Sequence, residues 1–288
     1  MKQKAGTPLI LIAALIGLFV ALQPVAGFGY VLPAPYVIEK MTVGMGLPQQ
    51  FQVRQVIYIK SKKNAHTETV DAYHYSQVLQ YRLPGLFRSD IIGDDISHSY
   101  ISGPDGSVTV LDGIMISESE QWFYGYKDLF SYRSRATLTN NLESKGVDVL
   151  VSSLGRLDKR LCYVIGARYP DLTVPQVWVD KETFMPVRYI LAGAGKNEKN
   201  PAAEIRFSRW KQFSQMHYPS EIAFIENGIE VQTISVQKID FNPVFEASLF
   251  DIQALKTIEK KQDEKENPLD FSDEIQKEIE EFRRIFEY

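Results

Sequence analysis

A single cysteine in 288 residues, Cys162, excludes an intramolecular disulfide, so the fold must be held by a packed core. Histidine is scarce too. His66, His74, His98 and His217 show no metal-ligand spacing such as His-Glu-x-x-His, and no Gly-x-Ser-x-Gly elbow marks a nucleophilic serine. Gly193-Ala-Gly195-Lys196-Asn197 lacks the earlier glycine and the following hydroxyl residue of a phosphate-binding loop, and reads as a hairpin loop. Asp94, Asp95 and Asp105 fall in turn-like stretches where Asx geometry accounts for them without a metal. Basic charge is not in excess: 32 Lys and Arg stand against 36 Asp and Glu, which argues against a nucleic-acid partner. An enzyme is thus a poor reading of this chain, and neither metal nor cofactor is expected.

Long apolar runs are also few. Lys2 and Lys4 precede one from Leu9 to Leu22, which Gln23 and Pro24 end before the small residues Ala26, Gly27 and Gly29. This is the pattern of a secretory signal over residues 1–27; the run is at the short end of the roughly 20 residues that span a bilayer, which leaves an uncleaved anchor as the alternative. Cleavage would remove two lysines and leave 30 basic against 36 acidic residues, a charge near −6. No cysteine follows the run to carry a lipid, so the mature chain is expected to be secreted and unanchored.

What is present is strand pattern and aromatic surface. A short helix is expected over Pro35 to Gly44, stopped by Gly46 and Pro48. Phe51, Val53, Gln55, Ile57 and Ile59 then alternate with more polar neighbours, as in a strand covered on one side. Further strands are expected at Val70–Tyr81, Leu86–Ile92, Ser97–Ser102 and Val108–Ser117, parted by turn residues. From Gln121 to Ser153 the spacings suit one or two helices. Strands resume at Leu161–Ala167, Pro175–Val179, Val187–Ala192, Glu204–Trp210, Pro219–Glu226 and Ile229–Asp240, the last with a parity switch between Val231 and Ile234 that predicts a bulge. Strands in sequence without helical crossovers imply antiparallel pairing. The tail divides into a charged linker over 257–268 and an amphipathic helix over 269–288, whose Phe271, Ile275, Ile279, Phe282 and Phe286 form one stripe.

The run Trp178-Val-Asp180-Lys-Glu-Thr-Phe-Met-Pro186-Val-Arg188-Tyr189 reads as strand, tight turn, strand. Together with Arg82-Leu-Pro-Gly-Leu-Phe-Arg-Ser-Asp-Ile91 and Asp240-Phe-Asn-Pro-Val-Phe-Glu-Ala-Ser-Leu-Phe250, it resembles the LolA/LolB-like superfamily of outer-membrane lipoprotein-sorting proteins. The resemblance covers about Pro35 to Ile252. It implies a mainly β, α+β fold over residues 30–256: a large curved antiparallel sheet forming an unclosed barrel with a helical lid near Tyr126 to Leu150. It also implies a periplasmic location, no catalysis, and a cavity for an acylated lipoprotein or lipid. By the same analogy the lining would include Tyr81, Leu86, Phe87, Arg88, Ile91, Trp122, Tyr124, Phe130, Trp178, Tyr189, Phe207 and Phe224. A helix or two is little to cover one face of such a sheet, so an incompletely filled concave face is expected. The alternative is an envelope interaction module, with the cavity filled by its own side chains and the C-terminal helix docked on a membrane-protein partner.

Overall fold

Pro33 precedes and Pro35 occupies the first turn of helix α1 (Ala34–Met45), and Gly46 ends it in the left-handed region at φ 62°, its N–H donating to the Val43 carbonyl at 3.2 Å. A Cβ at Gly46 would lie 2.3 Å from the Gln215 carbonyl oxygen, so only glycine fits this turn. The computed structural model describes residues 31–60, 72–93, 97–118, 120, 122–191, 203–226 and 228–254. The expected signal, the 193–197 loop, the charged linker and the C-terminal helix lie outside the described residues. The described residues from Leu32 onward form one unit.

Within that unit the strands β1 (Gln50–Lys60), β2 (Ala72–Arg82), β3 (Leu86–Ile92), β4 (Ser97–Gly103), β5 (Gly106–Leu111) and β6 (Ile114–Ser117) meander outward in one direction. The chain then crosses through a 3-10 segment, Trp122–Lys127, a single turn α2 (Asp128–Ser131) and helix α3 (Arg135–Ser144). It starts again at the far edge with β7 (Ser152–Leu157) and meanders back through β8 (Arg160–Ile165), β9 (Gln176–Asp180), β10 (Pro186–Leu191), β11 (Ala203–Phe213), β12 (Met216–Glu226) and β13 (Ile229–Phe241). β13 pairs antiparallel with β1, which joins the halves into one 13-stranded sheet whose edges are β6 and β7. The sheet is antiparallel throughout and unclosed, a half-barrel with a helical crossover on its inner face.

Curvature comes from bulges. Gln237 is the extra residue where Arg54 and Gln55 face Lys238 and Val236, and Val231 is extra where Phe224 and Ile225 face Gln232 and Glu230. The second lies at the parity switch visible in the sequence. Two strand assignments change. Val108–Ser117 is not one strand but two, because Asp112 and Gly113 both take positive φ, 48° and 85°, and make a hairpin turn. Val147–Leu150 is not helical, and Ser152–Leu157, too polar to read as a strand, is β7; Asp158 and Lys159, at φ 47° and 71°, turn it onto β8.

The inner face carries one large cluster that unites α1, the crossover and alternate residues of most strands, from Phe51 and Val53 to Ile222, Phe224 and Ile234. The outer face carries two smaller ones. Trp178 packs there with Leu157, Cys162, Val164, Ala167 and Val187, and Ile252 packs with Ile101 and Val108. Burial pushes the Cys162 thiol up to about 11, so it is no thiolate at neutral pH.

Candidate functional site: the covered inner face

Nine of the twelve residues that the sequence pointed to are brought together by the fold. Tyr81, Phe87, Ile91, Tyr124, Phe130, Tyr189, Phe207 and Phe224 belong to the inner cluster, and Trp122 packs against it. The crossover bridges both halves of the sheet. Tyr124 stacks on Tyr100 of β4 at 4.3 Å between centroids and tilts against Phe87 of β3 at 5.6 Å. Phe130 meets Tyr218 of β12 at 4.6 Å and Phe207 of β11 at 6.0 Å. Tyr126 and Trp122 both set their rings against Phe224.

Three residues lie elsewhere. Trp178 projects from the outer face, where its indole N–H donates to Gln176 Oε1 at 2.8 Å and the Arg188 guanidinium lies 5.2 Å from its ring. The Trp-x-Asp wording of this hairpin has a local cause: Asp180 Oδ1 accepts from the N–H groups of Glu182 and Thr183 at 3.0 and 2.9 Å and shapes the turn. Leu86 and Arg88 alternate with Phe87 and so face outward. Arg88 pairs with Asp90 at 2.8 Å and donates to the Leu249 carbonyl at 3.1 Å, while Arg82 donates to the Phe245 carbonyl at 2.6 Å with its guanidinium 4.9 Å from the Phe250 ring. These two arginines strap the segment after β13 to the outside of β2 and β3. The period-2 geometry of a strand explains the split: neighbours in one motif must point to opposite faces.

Under the crossover the described side chains of the inner face pack closely. The gap bounded by Ile57, Gln77, Phe123, Tyr124, Tyr126, Phe224, Gln232 and Ile234 admits no water molecule. An open cleft of about 570 Å³ lies instead beside the end of α1, between Gly46–Gln49, Arg133 and the turn Ser214–Met216; it includes none of the expected lining residues.

Of two polar features of the crossover, one ties it to the sheet and the other braces it internally. The first is a chain across three strands: Gln55 of β1 donates to Gln77 Oε1 of β2, and Gln77 Nε2 donates to Ser89 Oγ of β3 at 2.7 Å. From above, Tyr126 accepts from Gln55 at 3.4 Å and Tyr124 shares a hydrogen with Ser89 at 2.9 Å. Burial pushes both phenols above their ordinary pKa, so they stay neutral. No motif marks this chain, but its signal is in the sequence: Gln55 and Gln77 sit at the apolar parity of β1 and β2.

The second is an ion cluster. The Lys127 ammonium lies 2.6 Å from Glu120 Oε1 and 3.0 Å from Asp128 Oδ1, and Lys145 of α3 reaches the other Glu120 oxygen. Lys127 and Asp128 are almost wholly buried. Burial works against the ammonium, but Asp128 and Glu120 outweigh it and hold its pKa above the ordinary lysine value. Burial likewise opposes ionisation of Glu120, and Lys127 and Lys145 overcome it to lower that carboxyl.

His98, on the inner side of β4 between Ile91 and Leu111, supplies a pH dependence. Burial pushes its imidazole down to about 4, with Asp90 opposing. The folded state therefore keeps it neutral where the unfolded chain, near 6.5, takes up a proton, so stability is present above pH 6.5 and is lost as pH falls toward 4. The loss is expected to approach about 3 kcal/mol over that window. Denaturant midpoints at about pH 7 and pH 4.5 check it, and His98→Leu should flatten the difference.

No protein-family model matches the sequence, and comparison with curated proteins finds no significant match. Comparison of the fold does. A candidate outer membrane lipoprotein-sorting protein domain from Vibrio parahaemolyticus superposes with a TM-score of 0.53 at 11% identity, over 77% of this chain and 97% of that one. A LolA superfamily protein from Nitrosomonas europaea superposes with a TM-score of 0.51 at 14% identity, over 78% of this chain and all of the other. The chain thus has a LolA-like fold, and the wording of its motifs agrees with the likeness. Among the described residues no helix is long and apolar enough to cross a membrane.

Proposed function

We propose that the protein is a periplasmic carrier that shelters the acyl chain of a lipoprotein or lipid on the inner face of its half-barrel, without chemistry, and that the structure holds its closed form. The observation that carries this reading is the nature of the cover. The inner face is closed not by a strand or a long helix but by a 3-10 segment and one helical turn, Trp122–Ser131, that lays Trp122, Tyr124, Tyr126 and Phe130 where an acyl chain would run. Such short elements have little stability of their own, so the cover is held by its contacts and can be exchanged for others. Acyl burial contributes about 0.8 kcal/mol per methylene, enough for a long chain to compete with these side chains.

The close packing of the described residues under the crossover favours a second reading, an envelope interaction module whose C-terminal stripe, Phe271 to Phe286, docks a membrane-protein partner. Native mass spectrometry with organic extraction of the protein from a Gram-negative periplasm separates the two. A co-purifying acylated species is the expected result. A clean apo mass that stays unchanged after incubation with lipids and lipoproteins sinks the carrier reading; loss of partner capture on deleting residues 270–288 would then support the module.

A further inference from the structure

We infer that the open cleft beside the end of α1 is a second binding site, apart from the acyl site, and that it takes a short peptide segment by its free C-terminal carboxylate. The inference goes beyond the carrier reading and stands or falls without it.

The cleft holds about 570 Å³, within the range of small-ligand sites, about 300–1,000 Å³. Three parts of the molecule meet there: the end of α1, Arg133 directly before the α3 N-cap Ser134, and the strand ends at Ser214–Met216 and Phe241–Asn242. Among the described residues of the lining, Arg133 carries the one charge. Gln49 presents it. The Gln49 carbonyl accepts from the Leu83 N–H at 2.9 Å and its Nε2 donates to the Leu83 carbonyl, so the side-chain amide is fixed and its Oε1 accepts from Arg133 Nη1 at 3.0 Å. Arg135, two residues on, is paired with Glu39 at 3.0 Å, whereas no carboxylate among the described residues reaches Arg133. The Nε–Nη2 edge of Arg133 thus offers two parallel N–H donors, the fork that binds a planar carboxylate through two hydrogen bonds.

Another part of the lining has the reverse polarity. α1 ends there at Thr42, Val43 and Gly46, and the last carbonyls of a helix carry partial negative charge. A bare phosphate gains from Arg133 but is repelled by those carbonyls. A peptide end satisfies both, with its carboxylate on the guanidinium and its amide N–H groups on the carbonyls. Gln215 and Asn242 can bond the rest of its backbone, and Val43, Pro48 and Phe241, all at least partly exposed, give its side chains apolar contact. Two non-glycine residues of this lining, Ser214 and Asn242, hold positive φ, 53° and 48°, a costly conformation that clusters at ligand sites.

Affinity-selection mass spectrometry would expose the full chain to a library of tetrapeptides varied in sequence, supplied once with free C-termini and once C-terminally amidated. The free acids are expected to be retained about tenfold or more over their amides, the discrimination of a charge-assisted pair. Arg133→Gln should abolish that preference, and so should Gln215→Glu, which sets a carboxylate in the lining. Arg135→Gln, outside the lining, should leave it intact. Arg133 and Gln215 are both exposed, and thermal unfolding checks that each variant keeps the fold. Displacement of the retained peptides by an equal concentration of inorganic phosphate would reveal a general anion site and overturn the peptide assignment. Equal retention of acids and amides, no retention of either, or a preference that survives in Arg133→Gln overturns the inference and leaves the carrier reading standing.

Discussion

Replacing Lys127 with methionine is expected to remove about 3–5 kcal/mol of stability, the usual cost of breaking a buried ion pair from one side. Methionine fills the space of the lysine stem but leaves Asp128, equally buried, facing it with only Lys145 at 3.9 Å. Denaturant unfolding measures the loss. Lys127→Met combined with Asp128→Asn is expected to recover at least half of it, since no uncompensated charge then stays buried, and a double-mutant cycle isolates the coupling. The same variant bears on function. The cluster fastens the crossover and not the sheet, so loosening it should favour the open form and raise affinity for an acyl probe while the half-barrel stays folded. A Lys127→Met protein that loses stability without any gain in acyl affinity would mean that the crossover is a fixed part of the core.

Gly166→Ala is expected to cost about 4 kcal/mol, for two reasons that add. Gly166 holds φ at 102°, where a side chain is strained by about 1–2 kcal/mol. Its Cβ would also lie 2.5 Å from the Pro175 carbonyl oxygen, a backbone atom that cannot turn aside, and 2.8 Å from the Val147 side chain at Cγ1. The position ends β8, and its N–H donates to the Val151 carbonyl at 3.0 Å, which fixes the entry of β7. Gly113→Ala is the control. At φ 85° it carries the strain, but no atom lies within 4 Å of the added Cβ, so about 1–2 kcal/mol should be lost there. Equal losses at the two positions would show that strain alone matters and that β7 is not clasped as described.

The helix over 34–45, β3 and most of the later strands were legible because each is announced locally, by a proline start, by period-2 alternation or by a Gly, Asn or Asp turn. β7 was not, since Ser152-Ser-Leu-Gly-Arg-Leu157 has little apolar content and Gly155 in its middle; the reason for that glycine is tertiary, because a Cβ there would meet the Trp178 ring at 2.7 Å. Nine of the twelve candidate residues share one face because aromatic side chains at alternate positions need a common core. Trp178, Leu86 and Arg88 could not be placed from motif wording, because facing depends on register, and a single residue of slip exchanges the two sides.

By itself, then, the sequence determined an antiparallel, disulfide-free sheet with one apolar face, a break near its middle and a LolA-like set of motifs. These follow from hydrophobic period, turn chemistry and composition, all local in the chain. Only the tertiary structure decided that β13 returns to β1, that the break is a crossover laid over the inner face, and that its tyrosines close on Gln55, Gln77 and Ser89. The tyrosine contacts join residues up to 71 positions apart, the pairing of β1 with β13 joins residues farther apart still, and no local pattern encodes which of the many buried side chains will meet. The physical reason is that burial is specified residue by residue, whereas partnership is settled by the one packing that satisfies them all at once.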